Sequence, residues 1–134
     1  MAKTFKFEIV TPEKVVYSDS VICVSADGTE GGLGVLADHA PLITELQTSI
    51  LTVTDAHNKK VLFALDGGFM EVVANNVVLL TDKCVMEGEV DVEKVRSEKD
   101  TAEKALQKAG NIGEKEKAQA ALKRADTWLK LANK

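Results

Sequence analysis

The sequence changes character once, at Glu87-Gly88-Glu89, and this change limits the folds open to the chain. Before it, short apolar stretches alternate with polar residues and are separated by turn-forming residues. After it, the chain has no proline, and its only glycines are Gly110 and Gly113. The first pattern is typical of strands and the second of helices. We therefore predict an α+β protein with a β-sandwich domain over residues 1–88 and an α-helical hairpin domain over residues 89–134.

The β domain is predicted from alternation and turn spacing. Phe5, Phe7 and Ile9 alternate with polar residues, as in a half-buried strand. Further strands are expected at 15–17, 21–24, 50–54, 61–65, 69–73 and 77–81, with a polar break at 18–20, a tight hairpin at Asp66-Gly67-Gly68, and both Phe69 and Met70 in the core. Short strands at this spacing are typical of a sandwich, which we expect to be antiparallel.

The tail is predicted to form two antiparallel helices. Asp91 is suited to cap the first, and Gly110-Asn111-Ile112-Gly113 supplies residues that tolerate the left-handed conformation at its end. A second helix is expected from Glu114. The apolar positions at helical spacing are Val92, Val95, Ala102, Leu106 and Ala109, then Ala118, Ala121, Leu122, Ala125, Leu129 and Ala132. Because burial contributes only ~25 cal/mol per Å² and most of these side chains are alanine, we expect a marginally stable hairpin that can detach; a solvated hairpin that does not move is the alternative that the sequence leaves open.

Charge is distributed unevenly between the two parts. The net charge of −4 argues against a generic nucleic-acid binder. Residues 1–88 carry six lysines against twelve acidic residues, whereas residues 89–134 carry eleven basic against nine acidic residues. The tail therefore presents a basic face that suits an acidic partner surface.

Membrane insertion, secretion and metal binding are not indicated. No apolar run approaches the ~20 residues that span a bilayer, and the alternating N-terminus does not resemble a signal peptide. Cys23 and Cys84 lie in strand-like apolar runs, so we expect two buried, reduced thiols. Together with His39 and His57 they lack the close pair spacing of a zinc site, and no metal is expected.

A glycine-rich stretch, Gly28–Thr44, is open to three interpretations. A phosphate cradle is disfavoured because the stretch has no lysine and carries Glu30 and Asp38. A general base at His39, assisted by Asp38 or Thr44, is disfavoured because no nucleophile motif accompanies it. A long structured connection of the β domain, displayed to a partner, fits the residues best.

The same stretch carries a family resemblance. The run Glu30-Gly31-Gly32-Leu33-Gly34-Val35-Leu36, continued by His39-Ala40-Pro41-Leu42 and Thr44, resembles the signature of the epsilon subunit of F-type ATP synthases. The similarity extends over nearly the whole chain. It implies a non-catalytic subunit of the central rotor stalk, which couples ion-driven rotation of the c ring to ATP synthesis and inhibits ATP hydrolysis through its C-terminal helices.

The resemblance also implies partners and contact residues. Contacts with the gamma subunit and the c ring are expected at Glu30, Gly31, Gly32, Leu33 and His39, although Gly32 stands where many relatives carry Glu or Gln. The regulatory tail is expected to meet the beta and alpha subunits through its basic residues, which are Lys115, Lys117, Lys123, Arg124 and Lys130. Location at the cytoplasmic face of the bacterial plasma membrane, held there only through the complex, follows from the same resemblance.

Some relatives bind ATP on the folded hairpin, and this chain matches their pattern incompletely. Asp91 is kept and Arg124 matches one arginine of the second helix. Lys94 and Val95 replace the arginine and alanine of the first-helix motif, and Trp128 replaces a second arginine. Since lysine lacks the bidentate fork of arginine, we expect no cofactor, with ATP at most a weak regulatory ligand.

Two alternatives stay open at this point. One is a free-standing β-sandwich interaction module with a helical tail. The other is a small enzyme built on the His39 loop, which we disfavour because no nucleophile, base and oxyanion donor occur together.

Overall fold

The structure is a computed structural model that describes residues 2–134. It contains seven strands followed by two helices. The strands are β1 (Phe5–Val10), β2 (Val15–Gly28), β3 (Gly31–Leu36), β4 (Leu42–Asp55), β5 (Lys60–Val73), β6 (Asn76–Leu80) and β7 (Cys84–Met86). The helices are α1 (Val92–Lys108) and α2 (Ile112–Ala132).

The strands close into a ring because three of them are long. The hydrogen-bonding order is β1-β6-β5-β4-β2-β3, β1 also pairs with β2, and β7 pairs with β5. Strands β2, β4 and β5 have 14 residues each and bend, so that each contributes to two layers. The predicted α+β architecture, a β-sandwich followed by two helices, is confirmed. Every strand pairing is antiparallel except that of β1 with β6, which is parallel and was not predicted.

The two layers are defined by the halves of β5. The β6 layer contains β1, β6, Gly68–Val73 of β5 and Leu42–Leu46 of β4. The β7 layer contains β7, β3 and the remaining halves of β4 and β5. Strand β2 belongs to both layers, because its first half pairs with β1 and its second half with β3 and β4. Their inward side chains form one core, which consists of Phe5, Phe7, Ile9, Val21, Val24, Ala26, Val35, Leu46, Leu51, Val53, Phe63, Leu65, Met70, Val72, Val77 and Leu79.

Several predicted boundaries of the β domain are wrong. The polar residues 18–20 do not interrupt β2, because Ser18, Asp19 and Ser20 pair with residues of β1. The glycine-rich stretch is not a long connection: Gly31–Leu36 forms β3, joined to β2 by a turn at Thr29 and Glu30. Phe69 is 54% exposed, while Met70 is fully buried. Adjacent strand residues point to opposite faces, so the two could not both lie in the core.

Gly67 and Gly68 form a bend inside β5, and the predicted hairpin at this position is wrong. Both have positive φ, 70° and 139°. Leu46 pairs with Gly68 and Thr48 pairs with Asp66, so the register spans the bend without a break in the β4–β5 pairing. The Thr81 hydroxyl donates to the Gly67 carbonyl at 2.7 Å, which fixes the bend to the segment that follows β6.

Both helices begin at a side-chain cap. Asp91 accepts a hydrogen bond from the Lys94 amide at 3.2 Å, as predicted for α1. Asn111 accepts from the Glu114 amide at 2.8 Å, so α2 begins at Ile112, two residues before the predicted start. The predicted left-handed end of α1 is wrong, since Ala109 is extended there. Instead, the Gly110 amide donates to the Glu114 carboxylate at 2.9 Å.

The hairpin is layered on the sandwich through α2. Helix α2 packs against β4 and β5, and α1 packs on α2. The buried helical side chains are Val95, Ala102, Ala118, Ala125, Thr127 and Leu131, of which the last two were not predicted. Neither helix of residues 2–134 is long and apolar enough to cross a membrane. Three of the six buried helical residues are alanines, so the contact between the two helices is rich in alanine, as predicted from the sequence.

The cysteines are free and half-buried in β2 and β7. Burial raises the pKa of the Cys84 thiol to about 12. Because the thiolate is the reactive form, this shift disfavours reaction of Cys84 at neutral pH.

We expect Gly68→Ala to destabilise the chain strongly. A Cβ atom there would lie 2.3 Å from the Leu80 carbonyl oxygen, at a φ of +139° that side chains rarely adopt. The free energy of unfolding should fall by about 3 kcal/mol, measured by urea denaturation followed by circular dichroism. Gly34→Ala is the matched control, because a Cβ atom at Gly34 meets nothing within 4 Å. Equal midpoints for the two variants would contradict the role given to the bend.

Candidate functional site

The predicted interface residues lie at two ends of β3. Glu30, Gly31 and Gly32 are exposed at the turn that joins β2 to β3, and Leu33 packs against the core. His39 follows the other end of the strand. At about 3.3 Å per residue, six strand residues separate the two ends by about 20 Å. The structure therefore divides these residues into a hairpin tip and a separate histidine.

His39 and Asp38 do not form an acid–base pair. His39 Nδ1 lies 2.7 Å from the Ala40 carbonyl oxygen, a contact in which the imidazole nitrogen donates. Asp38 contacts Lys3 at 2.7 Å and accepts a hydrogen bond from the Asn75 side chain at 3.0 Å. These two hydrogen bonds hold the pKa of the Asp38 carboxyl below its usual value. Asp38 thus ties the β3–β4 connection to neighbouring segments, and it does not orient the imidazole.

An exposed apolar surface lies on the outer side of the β6 layer. We call it the apolar face; its members are Ile43, Phe69, Val73 and Leu80, which are 71%, 54%, 49% and 55% exposed. Phe69 pairs directly with Leu80 across β5 and β6. This surface was not predicted from the sequence, although strict alternation around the buried Met70 places Phe69 and Val73 on the outer side.

Acidic side chains lie among the members of the apolar face. Glu71 lies opposite Ile43, and Glu45 lies opposite Phe69, both across β4 and β5. Beside them, a 450 Å³ notch opens next to Phe69 and Leu80, and Asp82 contributes to its wall. A partner surface that combines apolar and basic side chains would complement this arrangement.

The predicted basic residues of the tail fall into two groups. Lys123 donates to the Gln47 side chain at 3.3 Å, and Arg124 contacts the Asp66 carboxylate at 3.2 Å. Thr48 also donates to this carboxylate, at 3.1 Å. Lys115, Lys117 and Lys130 are exposed, as Lys123 is. Lys123 and Arg124 therefore connect α2 to the sandwich. The Arg124–Asp66 pair is the better shielded contact, because these side chains are only 24% and 21% exposed.

The three candidate nucleotide-binding residues are not brought together. Asp91 caps α1, and its carboxylate accepts from the Lys94 amide. Arg124 lines a 590 Å³ groove between the helices together with Thr101, whereas Asp91 and Lys94 are not among the lining residues. Seven helical residues from Lys94 to Thr101 correspond to about 10 Å along α1. Within residues 2–134, no group of three His, Cys, Asp or Glu side chains is arranged to hold a metal.

Two family models match the two parts of the chain. The model described as "ATP synthase, Delta/Epsilon chain, beta-sandwich domain" matches residues 4–87. The model described as "ATP synthase, Delta/Epsilon chain, long alpha-helix domain" matches residues 89–133. Together they account for nearly the whole sequence.

Individual relatives are similar over their full length. The ATP synthase epsilon chain of Desulforamulus reducens is 40% identical over 132 residues, which cover 98% of this chain and 99% of the relative. The ATP synthase epsilon chain of Moorella thermoacetica is 38% identical over 129 residues, which cover 96% of each chain.

Solved structures share the fold. A chain of the Euglena gracilis mitochondrial ATP synthase, determined as OSCP/F1/c-ring, superimposes with a TM-score of 0.81 at 23% identity. The superposition covers 82% of the Euglena gracilis chain and 98% of this chain. A chain of the Tetrahymena thermophila mitochondrial ATP synthase, determined as central stalk/c-ring, gives a TM-score of 0.64 at 16% identity, with 98% of each chain covered.

We expect Arg124→Ala to loosen the docking of α2. The substitution leaves Asp66 without its charged partner in a mostly buried position, which costs about 1–2 kcal/mol. Local opening should become about tenfold more frequent, and hydrogen exchange of the α2 amides should accelerate accordingly. Lys115→Ala is the control, because Lys115 is exposed near the tip of the hairpin. Equal α2 exchange in both variants would show that the ion pair does not hold the helix.

Proposed function

This chain belongs to the ATP synthase delta/epsilon chain family, and from this membership we propose that it is the non-catalytic epsilon-type subunit of the central stalk. In that role it couples ion-driven rotation of the c ring to ATP synthesis. The observation that carries the proposal is the match of both domains to epsilon chains along almost their entire length. Its attachment to the cytoplasmic face of the bacterial plasma membrane is through the complex.

The apolar face is the surface that docks the gamma subunit. Monomeric proteins rarely leave large contiguous apolar surfaces exposed, and this one contains a cross-strand pair of Phe69 and Leu80. Ile43 lies four residues after His39 in the sequence, and we assign the histidine to the same interface. This arrangement favours a subunit over a free-standing module, because the face needs a permanent cover.

The hairpin tip is the surface that meets the c ring. Glu30 and the two following glycines are exposed, and they lie at the end of β3 remote from His39. Glu30 is acidic and exposed, so it supplies the polar contact at this tip. The implied interface set thus divides by partner: Glu30, Gly31, Gly32 and Leu33 for the ring, and His39 for gamma.

The tail acts as a brake on ATP hydrolysis. In the docked state Lys123 and Arg124 are occupied by Gln47 and Asp66. If α2 leaves the sandwich, both join the exposed Lys115, Lys117 and Lys130 as free cations on two faces of α2, and these suit acidic segments of the beta and alpha subunits. Exposed ion pairs contribute only about 0–1 kcal/mol each, so the five cations act collectively.

ATP is at most a weak ligand of the hairpin, and no cofactor is required. Arg124, which matches an arginine of the ATP-binding relatives, is paired with Asp66. Asp91 and Lys94 lie near the start of α1, away from the interhelical groove. A nucleotide would have to break the Arg124–Asp66 pair to gain a single arginine.

Removal of the tail tests the regulatory proposal. A chain truncated after Gly88, assembled into the complex, should raise ATP hydrolysis severalfold while proton- or sodium-driven synthesis persists. The reason is that the sandwich retains both coupling surfaces and loses only the brake. Hydrolysis and synthesis are measured on the same reconstituted vesicles.

A second variant separates the tail from the coupling surfaces. Phe69→Lys places a charge on the apolar face, so it should weaken assembly and coupling while the tail is intact. Unchanged hydrolysis in a fully assembled truncated complex would refute the brake. Normal assembly of the Phe69→Lys chain would refute the apolar face as the gamma contact.

Titration calorimetry of the full chain with MgATP tests the ligand proposal. We expect a dissociation constant no tighter than the millimolar range, or no measurable heat, because the bidentate phosphate contacts are incomplete. Micromolar affinity would contradict this expectation. Asp66→Asn serves as the informative comparison, since freeing Arg124 should tighten any residual binding.

A further inference from the structure

Asp66 connects the attachment of the tail to the apolar face. Its carboxylate accepts a hydrogen bond from the Thr48 hydroxyl at 3.1 Å and contacts Arg124 of α2 at 3.2 Å. The same residue lines the 450 Å³ notch that opens beside Phe69 and Leu80. One acidic residue therefore contributes both to the docking of α2 and to the surface that the proposed function assigns to the gamma subunit.

The notch has acidic and apolar walls. Asp66 and Asp82 both line it, and among residues 2–134 no lysine or arginine belongs to the lining. Within the described part of the chain, Asp82 forms no ion pair. The Asp66 amide donates to the Lys83 carbonyl at 3.0 Å, which ties the segment of Asp82 to β5. A long basic side chain complements such a notch, because its methylene stem packs on apolar walls while its charge meets the carboxylates.

The contact between Arg124 and Asp66 is open to displacement. Arg124 makes it through one nitrogen, Nη1, at 3.2 Å. Strong charge-assisted hydrogen bonds are about 2.7–2.9 Å long, and arginine commonly makes two of them to one carboxylate. Both side chains are mostly buried, so water screens Arg124 poorly from a second cation that approaches Asp66. A cation in the notch and Arg124 therefore oppose each other at one carboxylate.

We propose that a lysine or arginine side chain of the gamma subunit enters the notch and displaces Arg124 from Asp66, so that docking on the apolar face loosens α2. This inference rests on the proposed function, which assigns the apolar face to gamma and the tail to regulation. The acidic lining of the notch and its continuity with Phe69 and Leu80 identify the occupant. Lys123 keeps its contact with Gln47 during the exchange, so α2 is loosened and not released outright.

Two variants that break the same ion pair test the proposal. Coupling between two binding events is reciprocal, so a gamma cation that displaces Arg124 is itself opposed by Arg124. The Arg124→Ala chain should therefore bind about fivefold more tightly than the unmodified chain to the complex stripped of this subunit. The Asp66→Asn chain should bind about fivefold more weakly, because the notch loses one of its two acidic residues. Affinity is measured by fluorescence titration of the labelled full chain.

The opposite signs separate the exchange from simple release of the tail. Both variants remove the attachment of α2 at Asp66, and asparagine keeps an acceptor for the Thr48 hydroxyl. If release of the tail alone governed binding, the two variants would change the affinity in the same direction. A shift of the same sign in both variants, or no shift in Arg124→Ala, would overturn this inference alone. Failure of the unmodified chain to rebind would overturn the proposed function as well.

Discussion

The bend of β5 at Gly67 and Gly68 is the constraint on which both the docking of α2 and the position of the apolar face depend. It carries one strand from the β7 layer into the β6 layer without interrupting its pairing with β4. Asp66, just before the bend, holds Arg124 of α2. Phe69, just after it, lies on the apolar face. Only a residue without Cβ fits at Gly68, because the Leu80 carbonyl occupies that space.

The two helices make fewer contacts with the sandwich than the strands of the sandwich make with one another. The core is formed by strand residues alone, from Phe5 to Leu79. Helix α2 contributes an alanine-rich seam and a few polar contacts with β4 and β5. Since α1 packs on α2, release of α2 frees both helices together. Detachment of the hairpin stays a prediction, as does the boundary at residue 88.

The sequence predicted which segments form strands and helices better than it predicted where a strand ends or bends and which strand it pairs with. Alternation identified Phe5, Phe7 and Ile9 as core, and Asp91 as a cap, because these depend on local chemistry. The Gly67–Gly68 bend was mistaken for a hairpin, since both need positive φ and only the pairing with β4 separates them. The parallel contact of β1 with β6 joins distant parts of the chain and leaves no local signal.

The sequence indicated which residues belong to the candidate site, but not how these residues are arranged on the surface of the fold. Glu30 and His39 lie at opposite ends of β3. This separation was not predicted, because the glycine-rich residues of β3 were assigned to a connection and not to a strand. The pairing of Arg124 with Asp66 joins residues 58 positions apart, beyond any pattern read along the chain. The apolar face was accessible to strict alternation, and it was missed because Phe69 was assigned by hydrophobicity alone.

The closed ring of β1, β6, β5, β4 and β2 also has a mechanical meaning. A force applied at the hairpin tip and resisted at the apolar face passes through strands that are hydrogen-bonded on both sides. Shearing such a ring requires the backbone hydrogen bonds of several strand pairs to break at once, so the ring is stiff. A rotor part that transmits torque benefits from that stiffness, and the strands β3 and β7 and both helices lie outside the ring.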